Sequence, residues 1–124
     1  MEFIATNTAP AAVGPYSQAV KAAGMVYCSG QIPLKIDGTI IEGGIKEQAE
    51  QVLENLEAVL GAAGSGLSMA VKCTVYLTDL ANFAVMNEVY AAHFRDHKPA
   101  RVTIQISKLP KDALIEIDCI AVAK

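Results

Sequence analysis

The sequence predicts an α+β fold, a two-layer domain in which a mixed β-sheet carries two helices on one face. Two observations carry this prediction. Segments with apolar residues at period two recur along the 124 residues, and two longer stretches carry them at three-to-four spacing instead. The order that results, β-β-(β)-α-β-α-β-β, supplies one helical layer for one sheet face and leaves the other face without cover from its own chain.

Taken in order, residues 2–6 (EFIAT) read as a short strand, and Asn7 to Pro15, with Pro10, Gly14 and Pro15, reads as loop. Ser17 to Ala22 and Met25 to Ser29 read as strands joined by a turn at Ala23-Gly24, which makes a hairpin. Gly30 and Pro33 break the chain, and Asp37-Gly38 between Ile36 and Ile40 signals a tight turn. Residues 45–63 predict an amphipathic helix, with Ile45, Ala49, Val52, Leu53, Leu56, Val59, Leu60 and Ala63 on one stripe. Glu47 and Glu50 suit the positive end of its dipole, and Gly61, Gly64 and Gly66 are expected to end it. Lys72 to Thr78 alternates as a half-buried strand. A second helix is expected from Ala81 to Arg95, with Asp79 as cap and Phe83, Met86, Val89, Tyr90 and Phe94 as its apolar stripe. Val102 to Ser107 and Leu114 to Val122 complete the strands, with a turn at Leu109 to Asp112 between them.

Apolar residues at 52% and charged residues at 19% exclude a disordered chain. The length bounds the chain to one domain, residues 1–124. A domain this small buries only about two-thirds of the surface its unfolded chain exposes. Yet Ile, Val and Leu number 31. The uncovered sheet face, carrying Met25 or Val26 together with Leu114 and Ile120, is therefore expected to pack against a copy of itself. Ten basic and thirteen acidic residues give a net charge of −3. The basic residues are scattered apart from a loose cluster at Arg95, His97, Lys98 and Arg101, which disfavours binding through a nucleic-acid backbone.

The three cysteines, Cys28, Cys73 and Cys119, are far apart and form no CxxC, so neither a metal site nor a disulfide framework is expected. Cys73 and Cys119 should be core. A reduced, cytoplasmic setting fits them. The N-terminus lacks the features of a signal peptide, and no apolar run is long enough to span a membrane. His93 and His97 are expected to face solvent near the end of the second helix.

The sequence has no GxGxxG, GxxxxGK[ST], HExxH or GxSxG. The informative residues are polar groups in apolar or extended surroundings. Glu116 stands among aliphatics in LIEIDCIAV. Strand period leaves two readings open: a solvent-facing pair with Asp118, or a carboxylate at a cleft or subunit interface set up for acid–base work. Arg101 follows Pro99-Ala100 directly before a strand. It reads either as a solvated surface charge or as a guanidinium held for two-pronged binding of a carboxylate. Tyr16 and Ser17 after Gly14-Pro15, and Ser29 before Gly30, place hydroxyls beside glycines, which is turn chemistry or a site where backbone N–H groups approach a ligand.

Together these segments resemble one family. Gly14-Pro15-Tyr16-Ser17-Gln18, Ser29-Gly30-Gln31-Ile32-Pro33, Asn87-Glu88-Val89-Tyr90 and the run PARVTIQISKLPKDALIEI (residues 99–117) occur in order. This is similar to the Rid (reactive intermediate deaminase, YjgF) family and most similar to its RidA subgroup, over nearly the whole chain. The resemblance implies a chorismate-mutase-like fold assembled as a homotrimer around a central barrel, with ligand clefts between subunits. It implies hydrolysis of 2-imino acids such as 2-iminobutanoate and 2-iminopropanoate, released by pyridoxal-phosphate-dependent dehydratases, to 2-oxo acids and ammonia. It implies no cofactor and no metal. Carried over by position, Arg101 would bind the substrate carboxylate and Glu116 would handle the hydrolytic water, as the catalytic pair. Tyr16, Ser29, Gly30 and Asn87 would line the pocket. Thr103 stands where many RidA proteins have Cys, and Val102 where a small residue is usual. Two other roles stay open: a non-catalytic 2-oxo-acid-binding regulator, and an endoribonuclease or translation inhibitor.

Overall fold

The computed structural model describes residues 1–124. Its strands are β1 (Glu2–Ile4), β2 (Ala19–Ala22), β3 (Met25–Gln31), β4 (Ala70–Leu77), β5 (Ala100–Gln105) and β6 (Ile115–Val122). Helices α1 (Ile45–Ala62) and α2 (Phe83–Phe94) follow β3 and β4. All six strands form one sheet in the order β1-β2-β3-β6-β4-β5. Every pairing is antiparallel except β4–β5, the two strands that α2 connects. The expected α+β architecture is therefore present.

The core lies between the sheet and the helices. Val52, Leu53, Leu56, Val59 and Leu60 of α1 and Met86, Val89, Tyr90 and Phe94 of α2 pack on Val26, Cys73, Val75, Leu77, Ile115, Ile117 and Cys119. Alternation along β6 buries Ile115, Ile117 and Cys119 and leaves Glu116, Asp118 and Ile120 half-buried on the open face. Val26 belongs to the covered face, whereas Met25 is only half-buried. On the open side, Tyr27, Val102, Ile104 and Val122 remain 40–48% exposed. That is the surplus apolar surface that composition points to.

Several boundaries differ from the sequence expectation for identifiable reasons. The first strand ends at Ile4 because Thr6 turns away to be held by Gln18, whose buried amide bonds the Thr6 backbone and the Pro10 carbonyl. β3 runs on to Gln31 across a register shift between Cys28 and Gln31. Gly61 lies inside α1, and the left-handed residue after its end is Gly64, at φ +77°. Asp79 caps a short 3₁₀ turn, Leu80–Asn82, that leads into α2, by accepting from the Ala81 N–H at 2.9 Å. Phe83, assigned to the buried stripe, surfaces at 39% exposure. His93 and His97 are half-buried rather than solvent-facing. Each ring contacts a backbone carbonyl: His93 Nδ1 that of Val89 at 3.0 Å, and His97 Nε2 that of Ala70 at 2.7 Å.

One buried polar residue connects the fold to the cleft described next. Asn55 of α1 donates to the carbonyls of Ile32 and Leu34 at 3.2 and 3.0 Å and accepts from Gln51. Asn55→Leu removes both donors and leaves the Leu34 carbonyl without its partner beside a buried site, while the Ile32 carbonyl keeps its bond from the Leu34 N–H. It is expected to cost about 1–3 kcal/mol, read as a lower denaturant midpoint at unchanged slope.

Candidate active site

Glu116 is placed by β6 on the open face of the sheet, directly across from Tyr76 of β4. Its carboxyl has no hydrogen bond or ion pair within the chain, and burial, helped by the charge of Asp118, raises its pKa above the ordinary carboxylate value. Asp118 accepts from the Tyr76 hydroxyl at 3.1 Å, which anchors this second carboxylate. Glu116 borders a cavity of about 480 Å³ that it shares with Gly30, Tyr16, Val13, Ile32 and Lys111.

Gly30 fits this cavity for a steric reason. A Cβ added there would collide with Glu116 Oε2 and stand 2.8 Å from Cδ and 3.1 Å from Cγ. Glycine inside a strand marks such a close approach. The colliding atoms belong to a flexible side chain, so Gly30→Ala is expected to leave the melting temperature within a few degrees while displacing the carboxylate. A displacement of about 1 Å at a reacting group can cost roughly 100-fold, so kcat should fall by that order. Wild-type turnover in Gly30→Ala would show that the position of Glu116 is not critical.

Tyr16 is 54% exposed at the rim, and its hydroxyl accepts from the Val13 N–H at 3.2 Å, so its proton stays available. Ser29 is half-buried and its hydroxyl donates to the Ser17 carbonyl at 2.6 Å, leaving it free only as an acceptor. A larger cleft of about 820 Å³ beneath the N-terminal loop is lined by Phe3, Thr6, Tyr16 and Ser17 among others. It has no charged side chain, and acid–base chemistry has no basis there.

The remaining candidates lie elsewhere. β5 is an edge strand, and Arg101 on it is in register with Cys73, which in turn faces Cys119. All three therefore point to the helix-covered side. There the Arg101 guanidinium lies over the Tyr90 ring of α2, with Cζ 4.8 Å from the centroid, and over Phe83 at 5.6 Å. It borders a separate cavity of about 210 Å³. Thr103, two residues on, points the same way, and its buried hydroxyl has no hydrogen-bond partner. Asn87 is half-buried on α2 at the spacing that aligns it with Phe83 and Tyr90.

The seven predicted residues thus form two groups. Tyr16, Ser29, Gly30 and Glu116 gather on the β3–β6 side, and Asn87, Arg101 and Thr103 gather at the β5–α2 edge. Arg101 and Glu116 are three residues apart along the strands and two strands apart across them, roughly 10 Å in each direction, and they use opposite faces of the sheet. No single substrate of a few atoms can touch both within one chain. Sequence reasoning placed Tyr90 and Phe83 only in the core and did not single out Lys111. For Phe83 and Tyr90 the available signal was their spacing with Asn87.

An α+β domain with two separate clusters of polar residues, one at an edge strand and one on an open sheet face, is the class of protein these observations define. The chain belongs to the endoribonuclease L-PSP family, whose model matches residues 6–123, and the Rid and YjgF proteins that its sequence resembles fall in the same family. It is 54% identical over 121 residues to a RutC family protein of Pyrococcus horikoshii, covering 97% of this chain and 96% of that one. It is 46% identical over 121 residues to the chloroplastic Reactive Intermediate Deaminase A of Arabidopsis thaliana, covering 97% of this chain and 65% of that one. The crystal structure of E. coli TdcF with bound serine superposes with a TM-score of 0.94 at 42% identity, over 100% of both chains.

Proposed function

We propose that this single domain, residues 1–124, assembles as a cytoplasmic homotrimer and hydrolyses small 2-imino acids, 2-iminobutanoate and 2-iminopropanoate among them, to 2-oxo acids and ammonia. The observation that carries this reading is the placement of Arg101 and Glu116 on opposite faces of one sheet, both unpaired by their own chain's charges. Packing the edge strand of one copy against the open face of the next would unite Arg101, Thr103 and Asn87 of one subunit with Glu116, Gly30, Ser29 and Tyr16 of another. It would also cover Val102, Ile104 and Tyr27.

The chemistry asks for little more. A 2-imino acid carries a carboxylate beside an electrophilic C=N carbon. The Arg101 fork would hold the carboxylate. Glu116, whose carboxyl is shifted toward the protonated form by burial and then by Asp118, would pass a proton to the imine nitrogen and take one from the attacking water. Water adds at C2; in the resulting carbinolamine a proton passes from the hydroxyl to the amino group by way of Glu116, the C–N bond breaks as the C2 carbonyl forms, and ammonia leaves. Imines hydrolyse slowly in water unaided, so positioning and one acid–base group suffice. No metal or cofactor enters this scheme. The Arabidopsis relative named as a deaminase and the serine held by TdcF, an amino acid with the same carboxylate handle, support the substrate class.

The test couples the purified protein to a threonine dehydratase, with semicarbazide present to trap free imine. Faster formation of 2-oxobutanoate and less semicarbazone are expected. Binding of 2-oxobutanoate with no acceleration would leave a regulatory ligand-binding role instead. The net charge of −3, with basic residues dispersed, gives the ribonuclease of the family's name no electrostatic footing here.

A further inference from the structure

We propose that Tyr90 and Phe83 form an aromatic shelf that holds the Arg101 guanidinium charged but unpaired, and so sets how tightly the site binds carboxylate ligands. This rests on the assignment of Arg101 as the carboxylate-binding group. Arg101 is half-buried, where an arginine ordinarily meets an acid. Here the chain's one ion pair is Lys108 with Asp112, and no carboxylate reaches Arg101. Its neighbours are two ring faces, at 4.8 and 5.6 Å. The negative face of an aromatic quadrupole stabilises a cation without taking its N–H groups.

The distinction matters for binding. A carboxylate partner would occupy the guanidinium fork and would have to be displaced by the ligand. A stacked ring uses the face of the planar group and leaves the five N–H donors at its edge free. The nearer ring of the shelf is held by packing. Tyr90 is 8% exposed and stacks on Phe94 with centroids 4.3 Å apart. Burial and the adjacent Cys73 thiol hold its hydroxyl well above the usual tyrosine range, so the ring never presents a competing phenolate charge. Holding a long side chain in place before the ligand arrives removes part of the ordering cost of binding.

The experiment measures calorimetric Kd for 2-oxobutanoate and KM in the coupled imine assay, with 2-oxobutanamide as the uncharged control. Phe83→Leu and Tyr90→Leu are each expected to weaken carboxylate binding roughly 3- to 10-fold, with kcat within about twofold and no change for the amide. Tyr90→Phe, which keeps the ring, should recover most of the loss. Phe83 is 39% exposed, so Phe83→Leu gives a folded variant even if Tyr90→Leu unfolds. If Arg101→Ala loses binding but both leucine variants bind as wild type, the shelf is overturned and the function stands. If Arg101→Ala itself binds as wild type, both fall.

Discussion

Glu116→Gln is expected to lower kcat for imine hydrolysis by roughly 10²- to 10⁴-fold, the usual contribution of a positioned acid–base group, with little change in KM. The amide keeps the shape of the side chain but cannot release or accept the proton. The same substitution should not weaken the fold at neutral pH. The native carboxyl holds its proton to higher pH than an unfolded glutamate because burial, and then Asp118, penalise its charge. In linkage terms the folded state binds the extra proton, so stability falls as pH rises through the native pKa. Glutamine carries no such penalty. Glu116→Gln should therefore match or exceed wild-type stability at pH 7, and the difference should close as pH drops below the ordinary carboxylate value. Urea midpoints at several pH values, read beside the rate assay, check both halves. A variant that is slow because it is destabilised at pH 7 would contradict the assignment of Glu116 as a burdened functional group.

Much of the fold was legible because its signals are local. The period-two alternation of Cys73, Val75 and Leu77, and of Ile115, Ile117 and Cys119, marks the covered face residue by residue. The stripe of α1 is buried as expected apart from its first residue, Ile45. The misjudged features depend on contacts across the chain. Phe83 fits the apolar spacing of α2, yet it sits at the helix start beside an edge strand, so the sheet does not extend far enough to cover it. The histidines lie near a helix end, but His97 folds back onto the start of β4. The candidate site residues come from motif resemblance; strand signals end at Ser29 and read Gly30 as a break, whereas it lies inside β3. Their division into two groups was not legible. It follows from the strand order β3-β6-β4-β5, which puts two strand spacings and a sheet thickness between residues only 15 positions apart in sequence.

That division yields the prediction with the largest contrast. Arg101→Ala alone should lose about 2–5 kcal/mol of transition-state binding, or roughly 30- to several-thousand-fold in kcat/KM, because a substrate carboxylate is left without its partner charge. Glu116→Ala alone should be comparably poor. If each site takes its arginine from one subunit and its acid from the next, the two inactive proteins can repair one another. In trimers assorted at random from equal amounts, each interface has one chance in two of drawing an intact arginine and one in two of drawing an intact acid. About one quarter of the sites are then complete. Co-refolding the two variants should thus restore about a quarter of wild-type activity, whereas simple mixing of preformed trimers should restore it only as fast as subunits exchange. Mass measurement of differently tagged chains confirms that mixed trimers are present. Mixed trimers that remain as inactive as their parents would mean that one chain supplies both residues. Its sheet would then have to bring together two side chains that it holds on opposite faces.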